Sequence, residues 1–198
     1  MSKIIKPDPR VQRTRQLLRT ALVSLISEKG YSSITIQNIT DRATLNRATF
    51  YLHYRDKNEL LIDAFNELIV KATPLPPTSG IPAPQDGVEW IALIFRQMSK
   101  NADFFRALLT KESAPAFNLL VRDYIMEIGL KWLTALQPKK NQADVHAEIA
   151  SNFLGSAYLG VIAWWLQNGM PYTPEYMANQ LMNLTVLGLT RALGIEPL

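Results

Sequence analysis

Residues 35–61 read TIQNITDRATLNRATFYLHYRDKNELL, from Thr35 to Leu61. Thr35 stands where an N-cap offers its hydroxyl to free backbone N–H groups, and Ile36, Ile39 and Ala43 follow at helical spacing. Thr44-Leu45 breaks that pattern. Asn46 can cap a third, short helix running to Tyr54, on which Phe50 and Tyr54 lie four residues apart and share one face. Asp56 with Glu59 three residues later forms an acidic capping box, opening a fourth helix from Lys57 to about Ala72. Leu60, Leu61, Ala64, Phe65 and Leu68 make that helix amphipathic. Two short helices joined by a tight turn, with a longer helix on each side, predict a helix-turn-helix buttressed by a three-helix unit.

Outward from this stretch the chain stays helical. Before it, Leu17, Leu18, Ala21, Leu22, Leu25 and Ile26 form one stripe of a helix from about Val11 to Lys29, which Gly30 stops. After it, residues 74–84 (PLPPTSGIPAP) hold five prolines and one glycine, through which no helix continues. They read as a surface connection between helices, the alternative being a linker between independent domains. Beyond lie helical patterns from Gly87 to Lys100, from Phe104 (capped by Asp103) to Thr110, from Ala114 to Leu136, from Ala143 to Gln167 and from Pro174 to about Leu193. Pro138–Asn141 forms a polar loop, and Thr173 caps the last helix. No segment sustains period-two alternation. The expected fold is all-α: a helix-turn-helix domain over residues 1–56, a connecting helix over 57–72, and a helical regulatory and dimerisation domain over 73–198.

Composition narrows the chemistry. The 198 residues include no cysteine and two histidines, His53 and His146, far apart in sequence. Disulfides, thiolate metal sites and cysteine nucleophiles are excluded, and a histidine-rich metal site is not expected. No nucleophile–base pair is evident, so the reading is not an enzyme, with no cofactor and no metal. The opening MSKIIKPDPR lacks the apolar core of a signal peptide. The most apolar run, Phe153 to Leu166, has 14 residues, short of the roughly 20 that cross a bilayer. The expectation is a cytoplasmic protein with no membrane partner. Charge is uneven: residues 1–58 carry eleven Lys/Arg against four Asp/Glu, a balance of +7, and the remainder carries −3. That asymmetry points to an anionic partner for the first third only.

The third helix supplies the geometry that charge alone lacks. With Phe50 and Tyr54 turned inward, Arg47, Ala48, Thr49, Tyr51 and His53 occupy or flank the outer face. Arg47 can donate two hydrogen bonds to guanine, Ala48 permits close approach, and Thr49 can meet a base or a thymine methyl. Tyr51 and His53 can reach phosphates, and Lys57 adds charge beside the free N–H groups of a helix start. Taken singly, Tyr51 fits a core aromatic as well, and His53 or Arg47 a solvated side chain. Cap, turn, aromatic pair and bases agree only as a cluster.

Residues 11–70 resemble the DNA-binding domain of TetR-type transcriptional regulators, most specifically in ATFYLHYRDKNEL. The resemblance implies a homodimer with two such domains on a palindromic double-stranded DNA operator. It places Arg47, Ala48 and Thr49 near bases, and Thr35, Tyr51, His53 and Lys57 on phosphates. Gln37, Asn46 and Tyr54 complete the candidate DNA-contacting set. One departure stands out: many members have glycine where this chain has Thr44. A β-branched residue resists the left-handed conformation, so either the turn differs here or strain is stored.

The C-terminal part is less specific. GVIAWWLQNGMPYTPEYMANQL, residues 160–181, is similar to the branch of that family that includes dihydroxyacetone-kinase operon regulators. The helix over 143–167 and the last helix are each apolar on two stripes, whereas a surface helix in a monomer needs one. We therefore expect a four-helix dimer interface from Leu154, Tyr158, Val161, Trp165, Met177, Leu181 and Leu184; the alternative is helices wholly internal to a monomer. A pocket for a small-molecule effector is expected among Phe95, Met98, Phe104, Phe105, Phe117, Tyr124, Trp132 and Tyr158. The functional expectation is a homodimeric repressor released from its operator by that effector. The alternative is a co-regulator of the same fold working through a protein partner.

Overall fold

A computed structural model describes residues 8–73, 84–109, 115–135 and 146–185. Nine α-helices occur among them: α1 (Pro9–Lys29), α2 (Ile36–Ala43), α3 (Arg47–Tyr51), α4 (Lys57–Phe65), α5 (Pro84–Lys100), α6 (Ala102–Leu108), α7 (Pro115–Ala135), α8 (Ala147–Gln167) and α9 (Pro174–Thr185). No strand occurs among the described residues. The proline-rich connection up to residue 83, the Pro138–Asn141 loop, the first residues expected of α8 and the last helix beyond Thr185 lie outside the described residues.

Local chemistry sets most boundaries. Asp8 caps α1 and Pro9 opens it, two residues before the expected start at Val11. Thr35 and Asn38 form a reciprocal capping box on α2: the Asn38 N–H donates to the Thr35 hydroxyl, and the Thr35 N–H donates to the Asn38 side chain. The Asp56 carboxylate accepts from the N–H groups of Asn58 and Glu59, while the Glu59 carboxylate reaches the Arg55 N–H at 2.7 Å. The box opening α4 is thus offset by one residue from the expected one. Asp103, expected to cap α6, lies inside its first turn and pairs with Arg106. The helix starting at Lys57 does not stay α-helical: a π turn spans Asn66–Val70, closed by the Lys71 N–H donating to the Asn66 carbonyl at 2.9 Å.

α1 packs against α2, α4 and α6, so the N-terminal unit and the C-terminal bundle share one hydrophobic core. In the bundle, α7 packs along α8 and α5 along α9. Gly155 permits the α7–α8 approach, since a Cβ there would sit 3.0 Å from the Arg122 carbonyl oxygen. α6 bridges the two halves: it lies on α1, and its Arg106 Nε donates to the Leu166 carbonyl at the end of α8.

Several expectations for the C-terminal part are corrected here. Leu154, Trp165, Met177 and Leu181 are buried inside the chain's own bundle. Trp165 packs edge to face on Phe95, ring centroids 4.9 Å apart, and its indole N–H donates to the Tyr172 carbonyl. They are core residues, not interface residues. Tyr158 is partly buried with its hydroxyl 2.7 Å from that of Thr185, and Val161 is partly buried too. The exposed apolar stripe of α8 is a different one, carrying Ile149 (61%), Phe153 (64%) and Trp164, and Leu184 on α9 is 71% exposed. Phe95, Met98, Phe104, Phe105 and Phe117 are core as well. Phe117 meets Phe104, Phe105 and Phe65 at ring separations of 5.7–6.4 Å, so these rings fill the space between α4, α6 and α7. The side chain of Trp132 lies outside the described residues. α8 also extends further than its 14-residue apolar run: Glu148–Gln167 is 20 residues with mean hydropathy 1.3, long and apolar enough to cross a membrane. Here it packs on α7, and its open side also carries Asn152, Ser156 and Gln167.

A polar network ties the N-terminal helices to α4. Tyr54 is 2% exposed. Its hydroxyl donates to Asp63 Oδ2 at 2.6 Å and accepts from Arg15 Nε at 3.1 Å. Arg19 Nη1 donates to the same carboxylate at 2.8 Å and Arg15 Nη2 at 3.2 Å. Burial alone would raise the Asp63 carboxyl; the Tyr54 hydroxyl and the two guanidiniums outweigh it and hold the group below its ordinary value. Burial, with the bond to Asp63, pushes the Tyr54 phenol up to about 12.

Thr44 resolves the question left open by the sequence. It adopts φ 55°, ψ 43°, the left-handed conformation, with its N–H donating to the carbonyls of Asp41 and Thr40. The turn is the glycine-type turn and the strain is stored in it. Thr44→Gly removes a conformational cost of about 1–2 kcal/mol against a chain-entropy cost of roughly 0.5–1 kcal/mol. Urea unfolding should show a net stabilisation between zero and about 1.5 kcal/mol. Asp63→Asn should destabilise the fold by about 1–3 kcal/mol at neutral pH. Because the folded carboxyl titrates below its unfolded value, its stabilisation is present above that unfolded value and is lost as pH falls through the folded one. The gap between wild type and Asp63→Asn should therefore hold steady from pH 5 to 8 and begin to close only below about pH 4.

Candidate nucleic-acid interface

A five-residue helix is too short to hold its own shape in water. α3 is held by what surrounds it. Asn46 Oδ1 accepts from the Thr49 N–H at 2.7 Å and from the Thr49 hydroxyl at 2.9 Å, closing the first turn. Phe50 is fully buried and packs on Tyr54 with centroids 5.8 Å apart. The Tyr54 N–H donates to the Phe50 carbonyl, so the chain turns on past Tyr51 without remaining regular helix. With Phe50 and Tyr54 inside, Arg47, Ala48 and Tyr51 are exposed and Thr49 and His53 are half-buried.

Side chains on the outer face are partly organised. Arg47 lies over the Tyr51 ring, its guanidinium carbon 5.7 Å from the centroid, and Nη2 donates to the Tyr51 hydroxyl at 3.1 Å. This engages one of the five guanidinium N–H groups, and the Tyr51 hydroxyl keeps its own proton to donate. Thr49 has spent its hydroxyl proton on Asn46 but keeps its methyl and lone pairs. Gln37 is exposed on α2 with its amide donating to Asp41 at 2.6 Å, and Thr35 is exposed at the start of that helix.

Two of the expected DNA-contacting residues face elsewhere. Tyr54 is inside the fold, its hydroxyl committed to Asp63 and Arg15, so it anchors α3 and cannot touch a duplex directly. Lys57 is half-buried: Nζ donates to the carbonyls of Tyr31 (3.1 Å) and Ile34 (2.9 Å) and sits 4.5 Å from the Tyr31 ring centroid. Burial pulls its ammonium below the ordinary lysine value. Its first role is to brace the turn before α2, which leaves one N–H of three.

Electrostatics at this end are also weaker than a count by sequence implies. Arg42 makes a two-pronged pair with Glu28 at 2.6 and 2.7 Å; that bond and one from Ser24 hold the Glu28 carboxyl down at about 2. Arg55 pairs with Glu59, and Arg15 and Arg19 with Asp63. Glu59, Asp63 and Glu67 all come just after residue 58. Over residues 1–70 the balance is +4. One feature of the face is absent from the sequence reading altogether: Leu52, directly after α3, is 80% exposed. Its spacing of four from Ala48 is the sequence signal for it.

The comparisons agree with this architecture. Residues 18–64 match the family described as bacterial regulatory proteins, tetR family, and residues 88–186 match a transcriptional regulator C-terminal region of the TetR type. The HTH-type transcriptional regulator YxbF of Bacillus subtilis is 26% identical over 189 residues, covering 88% of this chain and 45% of that protein. The chain thus spans about half or less of the length of the first curated relatives it matches. Among solved structures, FadR from Bacillus subtilis in complex with stearoyl-CoA superposes with TM-score 0.67 at 20% identity, covering 87% of this chain and 98% of that one. The dihydroxyacetone kinase operon activator DhaS superposes with TM-score 0.57 at 18% identity, covering 89% and 96%. These families and relatives are transcriptional regulators, not enzymes. With both halves matched, and the second match alone covering half of it, the chain belongs to the TetR family of bacterial transcriptional regulators.

Proposed function

We propose that this chain acts in the cytoplasm as a ligand-responsive repressor, a homodimer that binds a palindromic operator and lets go when a small molecule occupies the C-terminal bundle. The observation that carries the reading is the division of α3: Phe50 and Tyr54 buried, Arg47, Ala48 and Tyr51 exposed beside Thr49. A short helix so divided can lay its polar face in a major groove, where Arg47 meets guanine and Ala48 and Thr49 approach other base edges. Tyr51, His53 and Thr35 then border the phosphates, with Gln37 and Asn46 beside them, and Lys57 offers its remaining N–H.

Dimerisation would place two such helices on successive grooves, roughly 34–36 Å apart or a multiple. The surface for it is the exposed stripe of α8 (Ile149, Phe153, Trp164) with Leu184 of α9. For the effector, Tyr124 and Tyr158 remain the candidates, both partly buried on helices of the bundle. FadR holds stearoyl-CoA, which supports a bound small molecule here without naming it.

Coupling has a physical route. Phe65 of α4 meets Phe117 and Tyr124 of α7 at ring-centroid distances of 5.7 and 5.6 Å, and Asp63, two residues earlier on the other side of α4, holds Tyr54, Arg15 and Arg19. A ligand that shifts α7 relative to α4 displaces the anchor of α3. It lowers operator affinity only to the extent that it binds the displaced state better.

Operator binding should weaken with salt at a slope of about −0.9 per phosphate neutralised. In a titration against an enriched site and a scrambled duplex, Arg47→Ala should cost about 1–3 kcal/mol on the first and little on the second. Equal losses on both would assign Arg47 to phosphate. Light scattering should give twice the chain mass for wild type. Phe153→Asp should give the single-chain mass, because a carboxylate cannot be buried unpaired at that contact.

A further inference from the structure

Leu52 is the most exposed of the large apolar side chains among the described residues, at 80%. It lies in right-handed helical conformation, φ −69°, ψ −19°, and its N–H donates to the Ala48 carbonyl at 3.2 Å. Ala48 and Leu52 are therefore stacked one turn apart on the side of α3 opposite Phe50. The outermost ridge of this face is apolar. Arg47 and Tyr51, joined to each other, flank it on one side, and Thr49 and His53, four residues apart, on the other. With four-fifths of its surface in solvent, Leu52 contributes little apolar burial to the fold.

An apolar ridge between cationic and hydroxyl-bearing side chains matches one feature of a duplex. In the major groove the thymine C5-methyl is the apolar group among hydrogen-bonding base edges, and the phosphates border it on both sides. We infer that Leu52, with Ala48 beneath it, is a specificity-determining residue that reads thymine through its methyl group. This rests on the DNA-binding reading above and adds to it a base preference at the end of α3. Arg47 selects guanine by hydrogen bonds at the start of the helix, and Leu52 selects thymine by burying a methyl at its end.

The test separates the two readings. A duplex pool randomised over 30 base pairs is enriched on the full chain, and the preferred site is then made with deoxyuridine in place of every thymine. That substitution removes the methyl and keeps every base-pairing group. Affinities of wild type, Leu52→Ala and Leu52→Met for both duplexes are measured by fluorescence anisotropy. Burial of one methyl corresponds to about fourfold in affinity. Wild type should lose about fourfold on deoxyuridine for each half-site so read. Leu52→Ala should bind the thymine site more weakly and show a thymine-to-uracil ratio about fourfold smaller per half-site than wild type, any remainder belonging to Thr49, while Leu52→Met should keep most of the wild-type ratio. An equal ratio in wild type and Leu52→Ala, or a wild-type ratio of one, overturns the assignment of Leu52 while leaving DNA binding intact. Failure of wild type to enrich any sequence overturns the DNA-binding reading and the inference with it. Circular dichroism of each variant, matched to wild type, excludes unfolding as the cause of a lost ratio.

Discussion

The Asp63 carboxylate holds the orientation on which this molecule depends. It accepts from the Tyr54 hydroxyl and from two arginines of α1, and so locks the end of the α3 segment to α1 and α4 together. α3 has five residues and no cooperative stability of its own. Its direction is set by Phe50 in the core and by Tyr54 on that carboxylate. A rotation of α3 by one residue would bury Tyr51 and expose Phe50, and the outer face would be lost. The charge stays in place because three donors compensate its partial burial, the condition under which a buried ion pair is not a net cost.

The same residue places the outer face within reach of the C-terminal bundle. Asp63 and Phe65 are neighbours on α4, one facing Tyr54 and the arginines, the other facing the rings of Phe117 and Tyr124. Directly after them the helix changes from α to π over Asn66–Val70. A π turn carries about one residue more than an α turn, and this one lies beside α5, where the two halves meet. Strain sits at the other end of the unit as well, in the left-handed Thr44. A second left-handed residue, Met170, lies in the turn between α8 and α9, so irregular backbone occurs in the C-terminal bundle too.

Charge in this protein is local. Four basic residues of the first third are matched by acids: Arg15 and Arg19 by Asp63, Arg42 by Glu28, Arg55 by Glu59. What is left toward solvent on α3 is Arg47, already resting on Tyr51. Its guanidinium is pre-positioned, which lowers the entropy lost when it meets an acceptor. Long-range attraction by a broad positive patch is correspondingly modest, and the contact face has to work by shape and short-range donors.

Sequence by itself determined most of the helices and caps, though not the α6 cap or the π turn after α4, and the identity of the N-terminal unit, because these depend on neighbours within four residues. Thr35, Asn46, Asp56 and Thr173 cap as their positions require, and Phe50 and Tyr54 share a face because their spacing forces it. Which of two apolar stripes on α8 belongs to the monomer was decided only by tertiary structure. Leu154 and Trp165 went inside, and Ile149, Phe153 and Trp164 stayed out. Periodicity gives the angle between stripes but not the helix's rotation about its axis, which comes from partners distant in sequence such as Phe95 and Arg122. The roles of Tyr54 and Lys57 were hidden for the same reason. A polar atom's partner is chosen by what the fold brings beside it, here Asp63 nine residues away and the carbonyl of Tyr31 twenty-six away.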